Sequence, residues 1–277
     1  MNYSKRFVVE PGANVELHKI DPGYIDPEVT EQDALAETKK LRKRLIKLQA
    51  SLFCEKQRSV LIVLQALDTG GKDGVINHVL GAMNPLGCRV ASFKKPGPEE
   101  VAHNYLWRVS ISLPEKGEVV IFNRSHYEDV LVVKVHNLVP QDHLVKRYHQ
   151  LNSFERFLTE NDTHVVKFFL HISKEEQLRR FKRRLDDPNR HWKISDADYK
   201  ERRFWDAYTG AYEEALSRCS TERAPWFIIP ADCKWFRNLA VAQIVVDRLE
   251  KLRIQSPLPT VDLGVIRKQF EEAVKEA

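Results

Sequence analysis

The chain has 277 residues, with 44 Lys or Arg against 39 Asp or Glu, and a formal net charge of +5. That length suits one large α/β domain or two small ones with a substantial core, and the mildly basic balance favours anionic partners. Cys54, Cys88, Cys219 and Cys233 are scattered without metal-ligand spacing, and no apolar run approaches a membrane span, which excludes a disulfide framework, a zinc site and a membrane protein. The polar start Met-Asn-Tyr-Ser-Lys-Arg is not followed by an apolar signal segment, so the expected location is the cytoplasm, with no membrane partner.

Residues 1–30 carry Pro11, Gly12, Pro22, Gly23 and Pro27 and read as an extended leader. From about residue 31 to 54, Leu41, Leu45, Leu48 and Leu52 recur at helical spacing, so 1–57 is a leader and a helix. The first strand, 60–65, is an unbroken apolar run of the kind buried on both faces, and a helix to about residue 83 follows its glycine-rich turn. A second strand, 89–93, runs into Lys94-Lys95-Pro96-Gly97-Pro98, a rigid loop that can begin a helix at Glu99. Further strands are expected at 118–123, 164–172 and 226–229, the last stopped by Pro230, with helical patterns between all of them. Strands alternating with helices argue a parallel sheet with ligands at the carboxyl ends of its strands, in one domain over 1–277.

Three segments carry chemistry. The first is Ala66-Leu67-Asp68-Thr69-Gly70-Gly71-Lys72-Asp73-Gly74, between the first strand and its helix. A glycine turn with a lysine opening a helix is the phosphate cradle of a P-loop, whose N–H groups and lysine attract an anion. Ala66 stands where the usual motif has its first glycine, and Asp73 where it has Ser or Thr. The hydroxyl that normally helps hold magnesium is therefore missing, and Asp68 is the obvious replacement. An ordinary strand-to-helix turn is the plainer alternative.

The second segment, Asn123-Arg124-Ser125-His126-Tyr127-Glu128-Asp129, ends the third strand in a dense polar cluster. An acidic residue at such a strand end beside a P-loop is the usual way to hold magnesium on phosphates, and Arg124 can stabilise transferring charge. Ser125 as a simple helix cap is compatible with that role. His126, a lone histidine beside an aromatic, reads as a packing residue. The third segment is the basic run 176–193. Leu178, Phe181 and Leu185 share one face and should fix the helix to the body, leaving Arg180, Arg183, Arg184, Arg190 and Lys193 for solvent or ligand. A solvated face is the bland reading. The run follows the fourth strand, where nucleotide kinases carry a mobile lid, and 199–205 would form its return helix, giving a lid region over 174–210.

These blocks together resemble the polyphosphate kinase 2 family, phosphotransferases that pass phosphoryl groups between inorganic polyphosphate and nucleotides. The resemblance runs from about Val60 to Trp235. Asp68 ahead of Gly71-Lys72-Asp73 is similar to the family's variant loop, 123–129 to its second motif, and Arg184, Asp187-Pro188 and Trp192-Lys193 to its lid motif. Diphosphate-restricted members tend to carry Asp-Arg-Ser-Trp-Tyr-Asn in the second block. Asn123, His126 and Glu128 depart from that pattern and look more like the branches that phosphorylate AMP, or both AMP and ADP.

The implied fold is α/β, a P-loop kinase-like three-layer αβα sandwich with a mainly parallel five-stranded sheet and a helical lid. The implied activity is reversible, Mg²⁺-dependent transfer from polyphosphate to AMP or ADP, with Mn²⁺ as a substitute metal and guanine nucleotides as further candidates. Lys72 and Arg124 are assigned to transition-state charge, Asp68 and Asp129 to the metal, and Arg184 to catalysis and the nucleotide. Thr69, Gly70, Gly71, Lys72, Asp73, Gly74, Arg180, Arg183 and Lys193 are expected to bind phosphate, and Asn123 and Glu128 the nucleotide. Because an acceptor phosphate is already ionised at neutral pH, catalysis reduces to alignment and charge neutralisation, without a strong base. Two alternatives are an ATP-dependent nucleoside or nucleotide kinase of the same fold and a non-enzymatic polyanion- or nucleic-acid-binding protein. The main reading has no nucleic-acid partner and, by resemblance, a homo-oligomer, dimer or tetramer, with the leader and the helix near 265–275 as candidate contacts.

Overall fold

The computed structural model describes residues 2–255 and 259–276, so the ends of the expected 1–277 span lie outside the described residues. A short helix α1 (Tyr3–Arg6) precedes the long α2 (Glu31–Glu55), strand β1 (Ser59–Gln65) and α3 (Lys72–His78). Then come β2 (Cys88–Ser92), α4 (Pro98–Ala102), α5 (Trp107–Ser110), β3 (Val119–Asn123), α6 (Glu128–Val135) and α7 (Gln141–Glu160). The chain continues through β4 (Thr163–His171), α8 (Lys174–Asp186), α9 (Asp196–Arg202), α10 (Trp205–Cys219), β5 (Trp226–Pro230), α11 (Lys234–Lys251) and α12 (Leu263–Glu276).

All five strands pair in parallel, in the order β2-β3-β1-β4-β5. The apolar run of β1 is buried throughout because helices cover both faces. Val60, Ile62 and Leu64 point to the layer containing α2, α3 and α11, and Leu61 and Val63 to the layer of α6, α7 and α10. The alternation of side chains along one strand thus builds the two cores of the three-layer sandwich. Helix α2 starts where Thr30 Oγ1 accepts from the Asp33 N–H, and its Leu41, Leu45 and Leu52 are buried as their spacing predicts.

The leader is extended only in part, and it is fastened down. Val8 bridges Phe227 in antiparallel fashion, the Val9 N–H donates to the Trp226 carbonyl, and Tyr3, Val9, Val15 and Leu17 are buried. This segment covers the free edge of β5. The helix after the glycine loop is shorter than expected, ending at His78 before a 3-10 turn over Leu80–Ala82. Among the described residues no helix is long and apolar enough to cross a membrane. Helix α12 has no buried residue.

Candidate active site

The carboxyl ends of β1, β2 and β3, with the start of α11, open into a cleft of ≈ 1110 Å³. Residues 68–74 line it from one side and Arg183, Arg184, Trp192 and Lys193 from another. The loop after β1 is a strained turn. Thr69 (φ 61°) and Gly71 (φ 105°) both hold left-handed backbone, which costs little at glycine and more at threonine. Gly70 admits no side chain, because a Cβ there would sit 2.4 Å from the Ala66 Cβ. Lys72 folds back so that its Nζ donates to the Ala66 carbonyl at 2.9 Å. The hydroxyl of Thr69 is buried and has no hydrogen-bond partner among the described residues.

Opposite the loop, the strand end of β3 supplies Asn123 and Arg124. Arg124 also holds left-handed backbone (φ 65°), and its guanidinium donates to Asp68 Oδ1 at 3.1 Å. Asn123 Nδ2 donates to Asp73 Oδ1, tying the second block to the first turn of α3. The electrostatics here are coupled. Burial works against the charge of Arg124, but Glu128 and Asp68 more than offset it and its pKa stands above the ordinary value. Burial, with Arg124 beside it, pulls the Lys72 ammonium down, against the opposing pull of Asp68, Glu128 and Asp73. Burial pushes the Glu128 carboxyl up, although Arg124 and Lys72 draw it the other way. Asp198 is likewise raised, by burial and then by the nearby charge of Asp68.

Asp129, expected to hold metal, has its carboxylate between Arg108 (3.5 Å) and Arg147 (3.6 Å), and neither it nor Glu128 is among the residues lining the cleft. One residue earlier on α6, Glu128 is the acidic group whose charge reaches Lys72 and Arg124. Ser125 does not cap α6, whose N-cap is Tyr127 with no side-chain cap; its Oγ instead accepts from the Tyr127 N–H in the preceding turn and from Gln65 Nε2.

The lid also turns differently from its apolar pattern. Phe181 is buried, but Leu178 and Leu185 are exposed, and the inward face consists of Glu176, Gln177, Arg180 and Phe181. The helix α8 sits over polar loops rather than over a hydrophobic core, so its polar side faces in. Arg180, expected to bind phosphate, is already occupied. Its Nε donates to Glu176, Nη1 to the Thr69 carbonyl at 2.8 Å, and Nη2 to the carbonyls of Ala231 and Asp232. It braces the P-loop against the end of β5. Arg184 donates to the Lys193 carbonyl (3.0 Å) and to Asp198 (2.9 Å), which pins the 3-10 turn Pro188–Lys193 and α9 to α8. Lys193 reaches Asp73 at 3.8 Å, and this contact joins lid to P-loop. Arg183 stays exposed along the cleft, with no ion-pair partner among the described residues.

Two features were not singled out from sequence. Lys167, wholly buried on β4, donates to Glu155, to the Tyr127 hydroxyl (2.9 Å) and to the Cys219 carbonyl (2.7 Å). His126 Nε2 lies 3.1 Å from Glu155, which also accepts from the Tyr127 hydroxyl, so His126 and Tyr127 are held from behind while Arg124 lines the cleft. The other is Arg237, a buried arginine on α11 lining the cleft. A charged residue on an otherwise apolar stripe with Val241, Ile244 and Val245 is the signal that could have found it.

Among the described residues no group of three or more His, Cys, Asp or Glu side chains is placed to hold a metal ion. The oxygen donors present, with two raised carboxyls near Asp68, suit a hard cation bound through one or two carboxylates and completed by substrate phosphates.

A family model described as Polyphosphate kinase 2 matches residues 28–257. The chain is 51% identical over 256 residues to the AMP/ADP-polyphosphate phosphotransferase of Meiothermus ruber, covering 92% of this chain and 96% of that protein. It is 42% identical over 270 residues to the ADP-polyphosphate phosphotransferase of Rhodopseudomonas palustris, covering 93% of each. Its fold superposes on the crystal structure of polyphosphate kinase 2 from Arthrobacter aurescens TC1 with a TM-score of 0.93 at 40% identity, over 98% of this chain and 97% of that one.

Proposed function

Because this chain belongs to the polyphosphate kinase 2 family, we infer that it transfers phosphoryl groups between inorganic polyphosphate and the nucleotides AMP and ADP. The observation that carries this reading is the convergence on one cleft of a P-loop lysine, Arg124 and the lid cations Arg183, Arg184 and Lys193. A linear polyanion draws its affinity from such cations and from backbone N–H groups.

In this reading the P-loop and Lys72 hold the phosphoryl group being moved. Arg124, oriented by Asp68, meets the charge that develops on its oxygens. The lid, latched through Arg184–Asp198 and Lys193–Asp73, aligns the acceptor phosphate and excludes water. Magnesium, when bound, supplies neutralisation of the phosphate oxygens. Asp68 is the residue we assign to it, with Glu128 in place of Asp129, and Mn²⁺, which favours the same oxygen ligands, would substitute. Acceptance of AMP as well as ADP is assigned to the second block. Since His126 is buried against Glu155, any selection there falls to Asn123 and Glu128. We further propose a cytoplasmic homo-oligomer, in a compartment that keeps the four free cysteines reduced.

The test is direct. The protein is incubated with polyphosphate and Mg²⁺ plus AMP or ADP, and in parallel with ATP as the donor, and the nucleotides are resolved. ADP and ATP formed from polyphosphate support the reading. Turnover with ATP alone, or salt-sensitive polyphosphate binding without turnover, overturns it.

A further inference from the structure

Strand β1 is apolar from Val60 to Leu64 and then ends in Gln65, which is wholly buried. Alternation places Gln65 with Leu61 and Val63 on the side of α6, α7 and α10, where an amide is costly unless its polar atoms are paired. Its nitrogen and its oxygen both are. Nε2 donates to Ser125 Oγ at 3.1 Å, and the same side chain hydrogen-bonds the Glu128 carboxylate. Oε1 accepts from the Tyr212 hydroxyl of α10 at 3.4 Å. A carboxylate only accepts, so the amide nitrogen faces Glu128 and the oxygen faces Tyr212, which fixes how the group is turned.

The end of β1 thus holds both halves of the site through three successive residues. The Leu64 carbonyl accepts from the Arg124 N–H at 3.1 Å, Gln65 holds Ser125, and the Ala66 carbonyl accepts from Lys72 Nζ at 2.9 Å. The spacing of Arg124 and Lys72 is therefore set on one short piece of strand. Arg124 needs that support. Its left-handed backbone (φ 65°) is strained for a residue with a Cβ and persists only where the surroundings hold it. Ser125, the next residue, is buried, and its Oγ also accepts from the Tyr127 N–H, so the turn closes around the hydroxyl that Gln65 holds. The Lys167–Glu155 pair fastens the same turn from the other side, through His126 and Tyr127.

We propose that Gln65 is a positioning residue for phosphoryl transfer, holding the Arg124 turn and the Glu128 carboxyl in fixed relation to the P-loop lysine. The reaction that reports on it is the one inferred above, so the proposal rests on that reading. Gln65 lies beneath the cleft and is not among its lining residues. Its loss therefore misplaces groups that act in the transition state and leaves substrate affinity alone.

The experiment compares Gln65→Met, similar in length and volume but without the amide, with Ser59→Ala. Ser59 Oγ lies 2.9 Å from Thr163 Oγ1 at the opposite end of β1, so this control also loses a buried hydrogen bond, away from the cleft. Steady-state kinetics with polyphosphate and AMP, and amide hydrogen exchange across residues 123–128, are measured on each. Gln65→Met lowers kcat about ten- to hundredfold with both KM values within about twofold, and speeds exchange at 124–127 about tenfold or more. Ser59→Ala leaves kcat and that exchange at their wild-type values. In an Arg124→Ala background, Gln65→Met costs no more than about threefold further, because the main group it positions is gone. A kcat within about twofold of wild type overturns the proposal, as does unchanged exchange at 124–127 or an undiminished loss in the Arg124→Ala background. If Gln65→Met does not fold, Ser125→Ala, which removes the hydroxyl that Gln65 holds, decides by the same criteria. A wild type that uses only ATP as donor defeats the functional reading separately. The kcat comparison then runs with ATP, and hydrogen exchange still reports on Gln65.

Discussion

Replacing Lys72 with Ala isolates the charge at the centre of the cleft. In the structure Lys72 contributes one hydrogen bond to the fold, from Nζ to the Ala66 carbonyl at 2.9 Å, a net stabilisation of about 1 kcal/mol. The variant should therefore fold. Its catalytic loss is larger, because a preorganised cation facing developing phosphoryl charge is worth about 3–4 kcal/mol, a hundredfold or more in kcat. A pH profile adds a second readout. Burial, reinforced by Arg124, lowers the Lys72 pKa, so the charged form is lost at a lower pH than in an ordinary lysine. The alkaline limb of kcat/KM, which reports the free enzyme, should accordingly fall before the usual lysine range of about 10.4 is reached. Lys72→Arg, whose side chain stays protonated, should lose that limb whatever activity it retains. The assay is ADP formation from AMP at saturating polyphosphate. A Lys72→Ala protein with half of wild-type kcat would refute the role assigned to this lysine and leave the loop as a simple turn.

Asp68→Asn should raise the Mg²⁺ concentration needed for half-maximal rate about tenfold or more, whereas Asp129→Asn should leave it unchanged, as a metal titration of both would show. Instead, Asp129→Asn should lower stability by about 2–4 kcal/mol in urea, since Arg108 and Arg147 lose their shared carboxylate. Arg184→Ala releases both Lys193 and Asp198 and should cut kcat/KM for AMP about ten- to hundredfold, while Arg179→Ala, which removes an exposed arginine from a Glu176 still paired with Arg180, should change it by less than twofold, roughly 0.5 kcal/mol. Although burial alone would raise it, Glu155 is held below the ordinary glutamate pKa by Lys167 and His126. Its stabilising contribution is thus present above the unfolded pKa and is lost as pH falls through the lower folded value. Glu155→Gln should be about 3–5 kcal/mol less stable at neutral pH and should lack that acid-dependent part of the loss, measured by denaturant unfolding at both pH values.

The elements themselves were legible along the chain. Four apolar runs separated by helical patterns specify the buried parallel strands β1, β3, β4 and β5, because burial on both faces demands continuous apolar sequence, while Cys88–Ser92 forms a largely exposed edge strand, and each strand boundary lies within a residue or two of expectation. The glycine loop was legible too, since Gly70 and Gly71 answer a local need for space and for left-handed backbone. What spacing could not supply was the azimuth of each helix about its axis. Glu128 and Asp129 are neighbours in sequence but about 100° apart on α6, so packing alone decided that one meets Lys72 and the other a pair of structural arginines. The same rotation turned Arg180 into a brace and left Arg183 free, although both belong to one basic run. Arg237 and Lys167 were hidden for a related reason. Lys167 sits in a mainly apolar strand and Arg237 on the apolar stripe of an amphipathic helix, and their surroundings come from strands and helices distant in sequence, brought into contact only when the sheet and its two helical layers close.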